Sequence, residues 1–168
     1  MSDAAGGTRV IGLGNPIMGD DGLGLRALGR LAERYALPPE VELVDGGTWG
    51  MRLLEEIESA GAVLLLDAVD HAAPAGSVTV LTRHDLPRYF AHKLSPHQVD
   101  LREVLAACEL RGTLPPVVTV IGAQPGPLEM STALSPALEA SLDQVTDLAA
   151  EELAALGHTV ARREAACA

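Results

Sequence analysis

Lysine occurs once in this sequence, as Lys93, and aromatic residues make up 2% of it: one Trp, two Tyr and one Phe. A surface that grips nucleic acid or anionic lipid needs clustered Lys and Arg. With 12 basic against 23 acidic residues and a formal charge of −11, the chain is not built as such a surface. The scarcity of aromatics leaves Leu, Val, Ile and Ala to fill the core. Two cysteines are too few for a disulfide framework. Cys108 falls in the stripe Leu101, Val104, Leu105, Cys108 and reads as a small core residue, while Cys167 sits in a mobile end. No run approaches the length of a membrane span, and no basic region followed by an apolar one opens the sequence. Three catalytic or metal signatures are missing as well. There is no GxSxG elbow, no HExxH and no CxxC.

What remains is a soluble, cytoplasmic protein of a reducing compartment, with no nucleic-acid or membrane partner and nothing that requires more than a monomer. Its 168 residues make one domain able to bury a core unaided, the core spanning about 8–157 with flexible ends. The acid excess fits a cation site, a positively charged partner, or no more than a solubilising surface.

The chain is organised around Arg9–Asp21, RVIGLGNPIMGDD. A strand over Val10–Leu13 turns at Gly14 into a helix over about Asp21–Tyr35, with Gly24, Leu28, Leu31 and Tyr35 at helical spacing. Val41–Val44 is a second strand, stopping at the turn cluster Asp45-Gly46-Gly47-Thr48. A helix over Met51–Ser59 follows, with Met51, Leu54 and Ile57 on one side. Ala62–Leu66 is a continuous apolar run, as in a central parallel strand covered on both faces. Val78–Leu81 reads as an antiparallel edge strand. Ser95-Pro96-His97-Gln98 opens a helix, with Ser as N-cap and Pro at the first helical position. Val117–Ile121 is the last strand, and Leu138, Leu142, Val145, Ala149, Leu153 and Leu156 stripe a final helix. This alternation predicts an α/β fold: an open, mainly parallel twisted sheet of about five strands with helices on both faces, a Rossmann-like three-layer sandwich.

Three strand ends finish in acid: Asp20 and Asp21, then Asp45, then Asp67 and Asp70. In a parallel sheet these ends share one edge, where open α/β folds place ligands. Carboxylates gathered there repel unless a cation, a shared proton or a base offsets them. With one imidazole added, such a cluster suits nickel, zinc, cobalt or manganese. His97 is the best-placed imidazole, with His71 its competitor. Each acid has a plainer reading: Asp20 as an N-cap, Asp45 as a turn former. Asp67 resists one, since it closes a strand covered on both faces and a buried carboxylate needs a partner. A dinucleotide site fails. Gly12-Leu13-Gly14 matches the opening of GxGxxG and Asp45 mimics the ribose acid, but Ile17 takes the third glycine position. Asp20 and Asp21 would also oppose a pyrophosphate at that helix start.

GLGNPIMGDDGLG, DGGT after the second strand, LLLDAVD after the third and KLSPHQ before a helix resemble, together and in order, the maturation endopeptidases of nickel–iron hydrogenases. The resemblance runs from about Val10 to Leu156. It implies an enzyme that removes a C-terminal extension from the hydrogenase large-subunit precursor after nickel insertion. It also implies metal ligands and catalytic residues at Asp21, Asp67 and His97, Asp21 being Glu in some members. By the same resemblance Asn15, Asp45, Gly46, Gly47 and Thr48 line the substrate groove. Nickel held by the precursor's cysteines would then be the recognition element and would arrive with the substrate, other divalent metals being able to take the site in vitro. Two alternatives stay open: Asp21 and Asp67 sharing a proton as in aspartic proteases, and a nickel-sensing docking protein that does not cut.

Overall fold

The structure is a computed structural model that describes residues 6–87 and 96–164, with the backbone alone for 96–100. In chain order the elements are β1 (Thr8–Leu13), a 3-10 turn (Gly19–Gly22), α1 (Leu23–Arg34), β2 (Tyr35–Ala36) and β3 (Val41–Gly47). A second 3-10 turn (Gly50–Arg52), α2 (Leu53–Glu58), β4 (Ala62–Ala68) and β5 (Val78–Thr82) come next. The chain continues through α3 (Pro96–Arg111), β6 (Val117–Ala123), α4 (Pro136–Ala155) and β7 (Ala161–Arg162). The expected N-cap Ser95, the single Lys93 and Cys167 lie outside the described residues.

Five strands form one sheet in the order β3-β1-β4-β6-β5. The first four are parallel, and β5 closes the edge antiparallel to β6, as its sequence predicts. All seven residues of β4 are buried, because helices cover both faces of it. Its even-numbered residues Leu64 and Leu66 pack with α1 and α4. Its odd-numbered Val63 and Leu65 pack with α2 and α3, where Cys108 is fully buried. Burying each such leucine is worth about 2 kcal/mol. Desolvation, with Glu58 adding to it, pushes the Cys108 thiol above its ordinary pKa, so it stays protonated and inert. Among the described residues no helix is long and apolar enough to cross a membrane.

Three departures from the sequence reading have physical causes. Strand β3 runs through Asp45-Gly46-Gly47 instead of stopping at Val44. It can do so because the pairing with β1 survives a bulge, Gly12 opposite Asp45 and Leu13 opposite Gly47. Helix α2 buries Leu53 and Ile57, while Met51 faces water. The 3-10 turn before it has about three residues per turn, which shifts the phase of the apolar stripe. Finally, β6 is not the last strand, since β7 pairs with β2 in a separate two-stranded ribbon.

That ribbon is fastened by charge. Arg34 reaches Asp143 at 2.9 Å and Asp147 at 3.6 Å, and the Tyr35 hydroxyl donates to Asp147 at 2.7 Å. Burial, followed by the bond to Asp147 and that residue's charge, raises the Tyr35 pKa above its ordinary value. A raised phenol pKa favours the protonated, folded form. Its contribution is therefore complete below pH about 10 and is lost as pH climbs through the folded value. Thermal melts from pH 8 to 11 are expected to show an alkaline drop in stability that is shallower in Tyr35→Phe. Parallel curves for the two proteins would show that this bond carries no linkage.

Candidate active site

The site lies at the carboxyl edge of the sheet. The chain leaves β1 for β3 on one side and returns to β4 on the other, so the crevice opens between β1 and β4, where open α/β sheets bind ligands. Two glycines allow the local geometry. Gly14 turns the chain at φ +118°, and a Cβ there would stand 1.7 Å from the backbone oxygen of Asp21. At Gly24 a Cβ would stand 2.0 Å from the carbonyl oxygen of Leu66, so α1 rests almost directly on the ends of β1 and β4. Both contacts are with backbone, which cannot swing aside.

Asp21 and Asp67, each 3% exposed, line one small cleft. Its other walls are Leu13, Gly14, Gly47, Thr48, Trp49, Gly50, Leu53 and Leu101. The enclosed volume is about 20 Å³, room for about one water molecule or one ion. The Asn15 amide donates to Asp21 Oδ2 at 2.9 Å, leaving Oδ1 for whatever enters the cleft. Asp67 comes from the end of β4 on the face shared with α2 and α3. Leu101, on α3, closes the same wall.

Of the remaining sequence candidates, Gly47 and Thr48 are in the cleft wall, whereas Asp45 is exposed on β3 and Gly46 is buried behind it. Asn15 bounds the site through its backbone, its side chain accepting from the Ile17 amide at 3.1 Å. His97 stands in the first turn of α3, one turn before Leu101; its side chain lies outside the described residues. His71 is turned away, its Nδ1 3.0 Å from the Val69 carbonyl. Among the described residues no group of three His, Cys, Asp or Glu side chains is arranged to hold a metal ion.

Asp20 is neither an N-cap nor part of the cleft wall. Its Oδ1 accepts from the Ser135 amide at 2.7 Å, and its Oδ2 from the Ser135 hydroxyl and the Gly126 amide, both at 2.9 Å. Sequence reasoning also missed Trp49, exposed at the mouth of the cleft. The available signal was the single tryptophan of the chain directly after DGGT.

A family model for hydrogenase maturation proteases (HycI) matches residues 25–152. The chain belongs to the hydrogenase maturation protease family. It is 34% identical to the hydrogenase 2 maturation protease of Escherichia coli over 157 residues, covering 93% of this chain and 96% of that one. It is 39% identical to the hydrogenase expression/formation protein HupD of Rhodobacter capsulatus, covering 91% and 74% of the two chains. Among solved structures, the hydrogenase maturating endopeptidase HybD from E. coli superposes with a TM-score of 0.88 at 32% identity, over 93% of this chain and 97% of that one. This hydrogenase maturation protease thus shares its fold with an endopeptidase of matching length.

Proposed function

We propose that this protein, acting as an endopeptidase that removes the C-terminal extension of a nickel–iron hydrogenase large-subunit precursor, recognises the precursor through its nickel ion, with Asp21, Asp67 and His97 as the protein's ligands. The observation that carries this reading is the convergence of Asp21 and Asp67, from two different strand ends, on one ion-sized cleft. Two carboxylates lining one cleft favour the entry of a cation or a shared proton. Carboxylate oxygens and an imidazole form a donor set that nickel accepts. His97 belongs to this set by its position in the first turn of α3, one turn before Leu101 of the cleft wall.

On this reading nickel is part of the substrate. A metal that arrives already bound by the precursor has only a few coordination positions left, so a small set of carboxylate and imidazole donors is enough to capture it while one position stays open. Once held, the ion can polarise the scissile carbonyl or lower the pKa of a water molecule. Water adds to the carbonyl carbon, and its proton passes to the departing amine. A precursor without nickel offers nothing for the carboxylates to grip, so cleavage becomes a check on metal insertion.

The decisive experiment mixes the protein with nickel-loaded and nickel-free precursor and follows the precursor mass. The expected result is loss of a C-terminal peptide from the loaded form only. Cleavage of both forms at equal rates would replace the nickel reading with a proton-sharing pair, Asp21 and Asp67. Binding of the loaded form without any cleavage would point to a docking protein.

A further inference from the structure

The segment 124–135, which joins β6 to α4, doubles back to the turn that follows β1. The Ser131 amide donates to the Ile17 carbonyl at 3.0 Å and the Gly19 amide to the Ser131 carbonyl at 2.7 Å, a one-residue parallel bridge between Met18 and Ser131. Asp20 fastens the same segment at Gly126 and Ser135 through the three bonds described above. A carboxylate buried this deeply costs several kcal/mol unless its lone pairs are used. All three donors to Asp20 come from this segment and its junction with α4, none from the cleft. Asp20 therefore serves the loop, while its neighbour Asp21 serves the site.

This tightly held loop presents apolar side chains to water, set among the exposed Glu129, Ser131 and Thr132. Met130 is 85% exposed and Leu128 43%, and Ile17, across the bridge, is 53% exposed. Beside them is a recess of about 220 Å³ lined by Pro16, Ile17, Leu25, Thr132 and Leu134, with Gly19, Gly22 and the charged Arg26 completing its wall. Those two glycines are the ends of the 3-10 turn that carries Asp21. Large apolar side chains left in water on a loop fixed by a buried charged anchor do nothing for folding and suit a contact surface.

We propose that Ile17, Leu128 and Met130, on the loop latched by Asp20, form a docking platform for the hydrogenase large-subunit precursor, with an apolar side chain of the precursor entering the recess beside the Asp21 turn. The proposal rests on the assignment of the Asp21–Asp67 cleft as the cleavage site. The occupant is the precursor because the platform hangs on the turn that supplies Asp21, so whatever covers it lies directly beside the cleft.

The test measures the affinity of nickel-loaded and nickel-free precursor for the wild-type protein and for Ile17→Ser/Met130→Ser, together with KM and kcat. Both side chains face solvent, so the double variant is expected to melt with the wild type. Its dissociation constant should rise at least about tenfold, by a similar factor for every precursor form that the wild type binds, with KM rising alike and kcat within about twofold. Asp20→Asn should give the same rise in KM, now with a lowered melting temperature. Unchanged affinity in the double variant, or a loss confined to kcat, overturns the platform. So would a wild-type dimer that the double variant dissociates without changing precursor affinity. The nickel reading is judged separately, since it concerns the difference between loaded and nickel-free precursor and the platform concerns the factor common to both.

Discussion

Asp67→Asn is expected to reduce cleavage of nickel-loaded precursor by about a thousandfold or more, the scale seen when a group acting directly at a reacting centre is removed. The substitution is nearly isosteric, so it tests charge and not packing. Asp67 is buried at the end of a strand covered on both faces, and it lines an ion-sized cleft. An amide there still fits but no longer offers an anionic ligand. Titration of the protein with nickel alone should show weaker binding in the same variant. Asp21→Asn should behave alike, and the double variant should be little worse than either single one, because ligands of one ion act as a unit. Cleavage within threefold of wild type in Asp67→Asn would remove it from the site.

Gly14→Ala should be the most damaging change that leaves every charge in place. The new Cβ would lie 1.7 Å from the Asp21 carbonyl oxygen, on a backbone with φ +118°. The positive φ costs an L-residue about 1–2 kcal/mol. Overpacking against backbone adds about 1–3 kcal/mol. A loss of roughly 2–5 kcal/mol lowers the melting temperature of a chain this size by roughly 10 °C. Because the displaced atom belongs to Asp21 itself, cleavage should fail even well below the melt. Gly29→Ala is the matched control. A Cβ at Gly29 meets nothing within 4 Å, and in the interior of α1 alanine should stabilise by about 0.5–1 kcal/mol. Equal melting temperatures for the Gly14 and Gly29 variants would mean that the turn is soft and that the close approach does not constrain it.

The sheet was legible because each strand announces itself locally. The unbroken apolar run of β4 marked a strand covered on both faces, and the partly exposed β5 marked an edge. The acid at the strand ends pointed to one edge of the sheet, and two of those residues, Asp21 and Asp67, do share a cleft. What could not be read had no local signature. Asp20 looks like its neighbour in sequence, yet its partners Gly126 and Ser135 are 106 and 115 residues away. Asp45 ends a run of side chains that suggests a stop, but the strand continues through backbone pairing with β1, which side-chain pattern does not reveal. The β2–β7 ribbon is two residues long on each side, too short for any periodicity to show.

The reach of Asp20 has a consequence for synthesis on the ribosome. The turn carrying Asp21 is made early relative to its fastening, since the serine that anchors its neighbour follows 115 residues later. At about 5–20 residues per second that is a lag of roughly 6–23 s. For most of this interval the cleft lacks its α3 wall, and for all of it the loop beside the cleft is unfastened. A nascent chain therefore holds its two acidic residues apart from a finished site until most of the domain has emerged. Competence to cut then arrives with completion of the fold, not with the appearance of the acidic motif.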